Sequence, residues 1–340
     1  MSLANVFKSS LFETTTLTAA INEAETPPQR LAELGLFEES GVPTTSVVIE
    51  KKGNVLQIVP AKARGADPTP MREETRRAIN LTIPHMPARD KLYADEVQNV
   101  RAFGSENELQ GVQQRRDEKL QNMNRTLDNT EEYHRLGAIQ GLVLDADGST
   151  VYDLFDEFGV TEPDPFYLDL DAAWATTDGG VIRGQLQSVK TEIRKALFNA
   201  RVPSVWAPSG EVFFKKISNH PEVRETYMAQ AAANDLRNGD ASDAFSYGGV
   251  MFELYPGYGD VELPEDECRF VPMGVPGLFI SRFAPAPWFD AVNTIGLPRY
   301  AMATLDPTGQ KYIDLEAQTN GLHICTRPEV LFKGEAGAAP

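Results

Sequence analysis

The feature that most restricts the fold of this chain is a long polar helix predicted between residues 105 and 140. Ser105-Glu106-Asn107-Glu108 fits a capping box, which satisfies free N–H groups where a helix begins. Gly141 supplies a stop. At about 1.5 Å per residue such a helix spans roughly 50 Å, which is long for a compact domain. We therefore expect this helix to pack across a sheet with one face and to expose its opposite face to solvent.

The apolar side chains of this helix form a narrow and imperfect stripe. Its members are Leu109, Val112, Leu120, Met123, Leu127, Tyr133 and Leu136. Glu131 and Arg135 have the i,i+4 spacing of a favourable ion pair. The pattern predicts a helix that packs through one narrow face only.

The string LVLDADGST, residues 142–150, follows the helix and is the most enzyme-like part of the chain. A calcium loop starting at Asp145 is disfavoured, because Thr150 stands where the glycine belongs and Asp156 where the glutamate belongs. A phosphotransferase of the haloacid-dehalogenase type would use Asp145 as nucleophile and Asp147 as acid/base. Its remaining magnesium carboxylates have only an approximate match in Asp260 and Asp266.

A simpler interpretation of this string is a β-hairpin over about 142–155 with an Asp-Gly turn. The turn would pair one strand, Leu142, Val143 and Leu144, with a second strand that contains Val151 and Tyr152. This interpretation is the favoured one, and it gives the two aspartates a role in a turn.

Two further groups of charged residues have a functional and a structural interpretation. Asp169 and Asp171 alternate as on one face of a strand and could hold a cation, but an acidic solvent face is favoured. Four basic residues on one side of a predicted helix could meet phosphates, but a solvated face is favoured. These four are Arg183, Lys190, Arg194 and Lys195. We predict no catalytic, cofactor-binding or metal-ligating residue.

Charge and composition exclude several classes of function. The chain has 340 residues, a net charge of -17 and a pI near 4.7, so free nucleic acid is a poor partner. Cys268 and Cys325 make neither a disulfide scaffold nor a metal motif, which favours a reduced, cytosolic setting. The four histidines, His85, His134, His220 and His323, are far apart in sequence. We identify no signal peptide, membrane-spanning stretch or internal repeat.

The first 90 residues are predicted to be an arm followed by an extended ribbon. Residues 1–43 have too little apolar surface for a core and are expected to pack on something else. TTSVVIEKKGNVLQIVP indicates a hairpin turning at residues 51–54, and a long polar loop follows. RRAINLTIP alternates like a half-buried strand. A ribbon with so little helix near it has uncovered faces, which suggests contact with a partner.

The second half of the chain mixes helices with short strands, so the fold class is α+β. Ile182, Leu186, Val189, Ile193 and Leu197 define one face of an amphipathic helix. A second helix is predicted over roughly 211–233. VPSVWAPS, FSYGGVMFELYPGYG, RFVPMGVPGLFISRFAP and the tail from Lys311 read as strands and turns.

Three stretches resemble the lambda-like capsid protein E family of tailed-bacteriophage major capsid proteins, which have the HK97-type fold. ELGLFEESGVPTTSVVIEKKGNVLQIVP is similar to that family's arm and the start of its extended loop. IPHMPARDKLYADEVQNVRAFGSENEL is similar to the loop return and the entry to the spine helix. EEYHRLGAIQGLVLDADGSTVYDLFDEFGV is similar to the end of that helix and the following hairpin. The resemblance covers most of residues 25–335.

The resemblance implies an arm, an extended β loop, a peripheral domain with a spine helix, and an inserted axial α/β domain. The implied segments are 1–43 for the arm, 44–88 for the loop, 89–178 with 300–340 for the peripheral domain, and 179–299 for the axial domain. The implied function is a major capsid protein that self-assembles into pentamers and hexamers of an icosahedral shell around double-stranded DNA. Scaffolding, portal and decoration proteins are the implied further partners, without a membrane. The implied locations are the virion head and, during assembly, the host cytoplasm.

Two alternatives stay open at the level of sequence. One is the phosphotransferase centred on Asp145 and Asp147, and the other is a non-viral encapsulating compartment with the same fold. For a shell protein we expect that deleting the arm, or the loop between Ala63 and Met71, leaves a folded subunit but blocks shell maturation.

Overall fold

The computed structural model describes residues 13–23, 29–52, 76–97, 108–172, 179–225, 244–255, 257, 261–307 and 311–340. The helices in these ranges are α1 (Thr14–Glu23), α2 (Arg30–Glu33), α3 (Ala94–Val97), α4 (Glu108–Gln140), α5 (Leu154–Phe158), α6 (Val181–Ala196) and α7 (Glu211–Asn219). The strands of the first half are β1 (Glu38–Gly41), β2 (Ser46–Lys52), β3 (Arg76–Thr82), β4 (Met86–Tyr93), β5 (Leu142–Leu144), β6 (Thr150–Asp153) and β7 (Phe166–Tyr167). Those of the second half are β8 (Ser204–Ser209), β9 (Ala244–Tyr247), β10 (Val250–Leu254), β11 (Glu267–Met273), β12 (Phe279–Phe283), β13 (Tyr300–Leu305), β14 (Tyr312–Thr319), β15 (Gly321–Cys325) and β16 (Phe332–Glu335).

The described strands form five sheets. The largest has the order β7-β16-β11-β8-β10-β9 and is mixed, since β8 pairs parallel with β10 but antiparallel with β11. Two three-stranded sheets have the orders β13-β14-β4 and β1-β12-β15, and two pairs join β2 with β3 and β5 with β6. The predicted α+β class is confirmed.

The long helix α4 joins two hydrophobic cores. Leu120, Met123 and Leu127 pack with α1 and with the sheet of β13, β14 and β4. Leu136 and Ile139 belong to the main core, which also contains α6, α7 and the six-stranded sheet. One helix therefore holds two separate cores at a fixed spacing.

The helix ends where the sequence predicted, but its environment differs from the prediction. It spans Glu108–Gln140 and stops at Gly141, whose φ of 89° favours glycine. The capping box at residues 105–107 lies outside the described residues. We expected one wet side along the whole helix, yet residues 131–139 are almost entirely enclosed, charged side chains included. Burial of these charged side chains costs little stability because each has an ion-pair or hydrogen-bond partner, as described below.

The amphipathic helix α6 is confirmed by its packing. Ile182, Leu186, Val189 and Ile193 are each at most 1% exposed, because their i,i+3/i+4 spacing gives one apolar face. The helix predicted over roughly 211–233 is interrupted at His220, and residues 221–225 are helical again. Helix α7 ends at Asn219 because His220 precedes Pro221 and adopts an extended ψ of 132°, and a residue before proline disfavours the helical region. Residues 226–233 lie outside the described residues.

Part of the predicted arm folds onto its own subunit. Leu17 and Ile21 of α1 enter the second core, and Leu31 and Phe37 enter the main core. Strand β1 pairs parallel with β12. The prediction that this segment packs on something else is thus met, for the described residues, by the same chain.

Candidate assembly surfaces and a buried ionic cluster

The β2–β3 ribbon is the first surface with an uncovered side. β2 pairs antiparallel with β3 from Ser46 opposite Thr82 to Lys52 opposite Arg76. Lys51 and Lys52 therefore lie in a strand, and the prediction of a turn at 51–54 was wrong for these two residues. Pairing across the long loop is possible because β3 offers the same alternating apolar pattern as β2.

The ribbon is half-buried at its base. Ile79, Leu81 and Ile83 are buried in the main core while Ala78 and Asn80 face outward, so the predicted alternation is confirmed. Val48 on the partner strand is 60% exposed. The subunit thus covers one face of the ribbon and leaves apolar area on the other.

A second uncovered surface is the loop between β12 and β13. Phe289 is 99% exposed and Ile295 69% exposed, with Val292 and Leu297 beside them in the same loop. We call these four residues the apolar loop. Apolar side chains clustered this way on a surface mark a contact site rather than the scatter found on any protein.

The apolar loop is fixed to the end of the arm. The N–H of Gly296 donates to the carbonyl of Val42 (3.1 Å), and the N–H of Val42 donates to the carbonyl of Phe283 (2.8 Å). A Cβ on Gly41 would lie 2.1 Å from the Gly296 carbonyl oxygen, which is far inside contact distance. Only glycine allows the two backbones to approach this closely.

A buried ionic cluster lies between α4 and the start of β13. The Arg299 guanidinium is ion-paired with both Asp128 and Glu131, and its Nε donates to Asn124 Oδ1 (2.9 Å). Thr319 Oγ1 also donates to Glu131 (2.6 Å). Such a set of acceptors suits a guanidinium, which presents several N–H donors in one plane.

The cluster extends to the arm through Arg135. Its Nη2 donates to Glu39 Oε1 (3.0 Å) and to Glu131 Oε2 (3.3 Å), so the predicted Glu131–Arg135 pair is confirmed. Glu39 belongs to β1. One network of charges therefore connects the arm, α4 and the sheet of β13.

Burial and charge act in opposite directions on the carboxylates. Burial raises the pKa of Glu131, but Arg299, His323 and Arg135 oppose it and bring the value down to about 2. For Asp128 burial prevails over Arg299, and its pKa is raised. Burial also lowers the pKa of His323 well below its usual value. The groups around Glu131 thus outweigh the effect of its burial, whereas those around Asp128 do not.

Another buried carboxylate, that of Glu253, connects α2 to the six-stranded sheet. Arg30 Nη2 and Trp206 Nε1 both donate to Glu253 Oε2 at 2.8 Å. Trp206 itself is fully buried. Ion pairs consequently attach the arm to α4 and to β10, and a further pair joins Glu38 to Arg282 of β12.

The hairpin interpretation of residues 142–153 is confirmed. β5 and β6 pair antiparallel, and the N–H of Asp145 donates to the Ser149 carbonyl (2.8 Å). Asp147 Oδ1 accepts from the Ser149 N–H (2.9 Å), and Gly148 has a φ of 81°. Both aspartates are exposed and shape the turn.

Of the other candidate carboxylates, Asp260 lies outside the described residues. Asp266 is described, and its backbone carbonyl accepts from the Ala336 N–H beside the adjacent ends of β11 and β16. The strand predicted for Asp169 and Asp171 was wrong, since β7 ends at Tyr167 and Asp169 has a φ of 45°. Asp171 is exposed and pairs with Lys216.

The basic residues of α6 face solvent or local acceptors. Lys195 pairs with Glu192 (2.6 Å), and Lys190 donates to the Gly248 carbonyl (2.6 Å). Arg183 lies over the ring of Tyr247, and Arg194 is exposed. The favoured interpretation as a solvated face agrees with this geometry.

The two cysteines, His134 and His323 are buried in the interior of the fold. Cys268 and Cys325 are free and fully buried, and burial raises the pKa of both thiols. His323 Nδ1 lies 2.7 Å from Ser281 Oγ. The fold brings His134 close enough to His323 for their charges to interact, which their sequence separation concealed.

Sequence reasoning missed the buried ionic cluster. The signal was present in DNTEEYHR, residues 128–135, where Asp128, Glu131, Glu132 and Arg135 have the i, i+3, i+4, i+7 spacing of one helix face and carry charges of both signs. Arg299 could not be assigned from sequence, because it lies 171 residues from its partner Asp128.

Two other kinds of site are absent from the residues described. Within the described ranges, no three or more His, Cys, Asp or Glu side chains are grouped to hold a metal ion. No helix in that part of the chain combines the length and apolar character needed to cross a membrane.

Comparisons with known proteins agree with the architecture. The family model for phage major capsid protein E matches residues 13–336. The major capsid protein of Pseudomonas phage KPP10 is 28% identical over 327 residues, covering 89% of this chain and 91% of that protein. The major capsid protein of Salmonella phage Felix O1 is 26% identical over 343 residues, covering 91% and 92%.

The fold has a counterpart among solved structures. A crystal structure of a protein assigned as a prophage capsid protein from E. coli CFT073 superposes with a TM-score of 0.55 at 10% identity, covering 95% of this chain and 98% of that one. The long helix, the ribbon and the flanking sheets thus form the HK97-type capsid fold. The chain belongs to the phage major capsid protein E family.

Proposed function

We propose that this protein is the major head subunit that assembles into pentamers and hexamers of an icosahedral shell around double-stranded phage DNA. The observation that carries this proposal is the apolar loop, with Phe289 almost fully exposed next to the arm. An isolated subunit gains nothing from such a surface, but a neighbouring copy covers it. Many weak contacts of this kind add through avidity in a closed shell.

The assembled location follows from the same proposal. The subunit resides in the virion head and, before that, in the host cytoplasm. Scaffolding and portal proteins, and a decoration protein where the shell has one, are the further partners. The net charge of -17 suits a shell whose wall repels the packaged DNA and does not bind it.

We further propose the division into arm (1–43), loop (44–88), peripheral domain (89–178 with 300–340) and axial domain (179–299). The sheet of β13, β14 and β4 supports this division, because none of its strands comes from the axial segment. The six-stranded sheet crosses the proposed boundary, because β7 and β16 join strands of the axial segment.

We propose that the protein has no catalytic role. The exposed hairpin turn at Asp145 and Asp147 supports this, because neither side chain has the enclosed, preorganised surroundings of a nucleophile. Magnesium-dependent phosphate release by the purified protein, lost in Asp145→Asn, would contradict it. A cargo of enzyme rather than DNA in purified particles would point instead to a non-viral compartment.

The experiment that tests the shell proposal removes the apolar contact without touching the core. Phe289→Ser with Ile295→Ser is expected to abolish particles seen by negative-stain electron microscopy of cells that express the protein with its assembly partners. Asp290→Asn is the matched control, since it changes a charge in the same loop and keeps the apolar area. An unchanged urea midpoint shows that the variant subunit is folded. Normal particles from the double variant would overturn the role of this loop.

A further inference from the structure

A groove of about 710 Å³ lies where the β2–β3 ribbon, the end of α6 and the turn between β11 and β12 meet. Its apolar lining includes Ile49, Phe198, Ala200, Pro276 and Leu278, and Arg327 lines it as well. We call it the Phe198 groove. The Phe198 side chain is 45% exposed, so the described part of the subunit leaves much of this ring uncovered.

The backbone at Phe198 is strained. Helix α6 ends in a Schellman motif, in which the N–H of Phe198 donates to the Lys195 carbonyl (3.0 Å) and the N–H of Asn199 to the Arg194 carbonyl (2.7 Å). Phe198 stands where such a motif usually has glycine, and its φ is 54°. A bulky side chain in this region is an outlier, and such outliers cluster at functional sites. Packing within the subunit does not explain a ring that is both strained and half-exposed.

The apolar loop has the shape that fits a groove. Phe289 is 99% exposed, so its ring touches almost nothing in its own subunit and projects from the surface. Four of the ten large apolar side chains exposed in the described residues belong to this loop, which makes it the strongest candidate occupant. A projecting aromatic side chain seated in a pocket is a common centre of a protein interface.

The groove and the apolar loop lie at opposite ends of strand β12. Leu278 lines the groove and immediately precedes the strand. At the other end Gly296 packs so closely on the Phe283 carbonyl that a Cβ would collide with it. Five residues of strand place the two ends roughly 15 Å apart. A contact between two different patches of identical subunits is heterologous, and it forms a ring where the rotation closes.

The charges of the two surfaces are complementary. Asp290 is the single charged residue of the stretch 284–298 that contains the apolar loop. The groove lining and the end of α6 beside it carry four basic and three acidic residues, a balance of +1 in a chain of -17. The basic residues are Arg194, Lys195, Arg201 and Arg327, and the acidic ones are Glu50, Glu192 and Glu329. An exposed charge such as Asp290 steers the approach of the loop more than it holds the contact.

The contact is too small to hold two subunits together by itself. An aromatic side chain buries roughly 150–250 Å², whereas a stable interface between two proteins buries roughly 1,200–2,000 Å². The same contact repeated around a closed ring adds through avidity. The area therefore favours a ring of copies over an isolated dimer.

We propose that the apolar loop of one subunit inserts Phe289 into the Phe198 groove of the next, and that this contact repeats around each pentamer and hexamer. The inference rests on the proposed function and names the surface that covers the apolar loop. Phe289 packs on the Phe198 ring and on Leu278, while Asp290 lies toward Arg327 at the rim. The strained backbone of Phe198 presents its ring to the incoming side chain.

The direct test is crosslinking of a subunit that carries both Asp290→Cys and Ala200→Cys. Both positions are exposed, Ala200 lines the groove and Asp290 adjoins Phe289. Particles assembled from this variant are treated with a short bismaleimide, and the native Cys268 and Cys325 do not compete because both are fully buried. We expect a ladder on a denaturing gel that ends at covalent pentamers and hexamers, since each subunit has one site of each kind.

The matched control moves the second cysteine to Ser188→Cys, an exposed position on α6 about 12 Å along the helix from Ala196. This control should give no ladder. Dimers alone, a ladder that runs past six, or a crosslink within one chain would each refute the proposed contact. Normal particles without any crosslink would overturn the groove proposal and leave the shell function intact. Absence of particles even from unmodified protein with its assembly partners would overturn both.

A second test separates assembly from folding at Phe198. Phe198→Gly relieves the strained backbone, so the urea midpoint should stay the same or rise, yet particle yield should fall at least tenfold. Phe198→Tyr keeps the aromatic ring and should retain most of the yield. Val181→Ser removes another exposed apolar side chain of α6, outside the groove, and should leave particles unchanged. Wild-type yield from Phe198→Gly would exclude the contact.

Discussion

Glu132 on the long helix α4 accepts a hydrogen bond from the backbone N–H of Leu31 across 2.8 Å. The same oxygen accepts from the Tyr255 hydroxyl (3.0 Å). Leu31 lies in the first turn of the short helix α2, where N–H groups lack partners in the helix itself. One carboxylate thus caps α2, holds Leu31 in the main core and reaches the end of β10.

Replacing Glu132 should therefore loosen the arm as well as α4. We expect Glu132→Ala to lower the free energy of unfolding by about 3 kcal/mol, because two hydrogen bonds to a buried carboxylate are lost. Glu132→Gln keeps an oxygen acceptor and should cost less. Urea unfolding of the unassembled subunit measures both, and equal midpoints for the two variants would contradict the capping role.

Arg299 is the residue whose loss should be most costly in the ionic cluster. Arg299→Met leaves Asp128 and Glu131 buried without their cation, which typically costs about 3–5 kcal/mol. Arg89→Met is the matched control, since Arg89 makes its ion pair with Asp314 on the surface. Urea midpoints should fall clearly for the first variant and stay within error for the second. The opposite order would show that the cluster contributes nothing to stability.

His323 should make the subunit less stable as the pH falls below about 6.5. Burial lowers its folded-state pKa, so the unfolded chain takes up a proton in that range while the folded chain does not. Stability consequently drops toward acid pH, by up to about 1.4 kcal/mol per pH unit for one proton. The difference between the unfolding free energies at about pH 7.5 and about pH 5.5 should shrink in His323→Gln. It should not vanish, because burial also lowers the pKa of His134 and of His220. A wild-type curve flat over this range would refute the argument.

Gly148 should be the sensitive position of the hairpin. Its φ of 81° strains an L side chain, although no described atom lies within 4 Å of the place that a Cβ would take. Gly148→Ala is expected to cost about 1 kcal/mol, and Gly148→Asn less, because asparagine tolerates this backbone region. Thermal unfolding compares the two. A larger loss for asparagine than for alanine would mean that something other than backbone conformation decides at this site.

Gly41 should tolerate no side chain, for a different reason. A Cβ there meets the Gly296 carbonyl oxygen at 2.1 Å, so β1 or the apolar loop must shift. We expect Gly41→Ala to cost about 1–3 kcal/mol and to reduce particle yield. Gly179→Ala, where a Cβ meets no described atom within 4 Å, serves as the control. Normal particles and an unchanged midpoint for Gly41→Ala would contradict the close approach.

Local patterns allowed part of the fold to be predicted. The end of α4 at Gly141, the apolar face of α6 and the turn at Gly148 each depend on residues a few positions apart. Local rules failed where a distant partner intervened, since Lys51 and Lys52, predicted to begin a turn, pair with Arg77 and Arg76 of β3. They also failed at Asp169, whose positive φ ended a predicted strand.

The sequence by itself determined α4, α6 and the β5–β6 hairpin and, through its resemblance to a family, the capsid fold. Periodicity and turn chemistry are properties of short segments, so they can be read without knowing the fold. Tertiary structure alone decided that Arg299 meets Asp128 and Glu131, and that Glu132 caps α2. These contacts join residues more than 100 positions apart, and no local pattern encodes which distant charge fills a buried site.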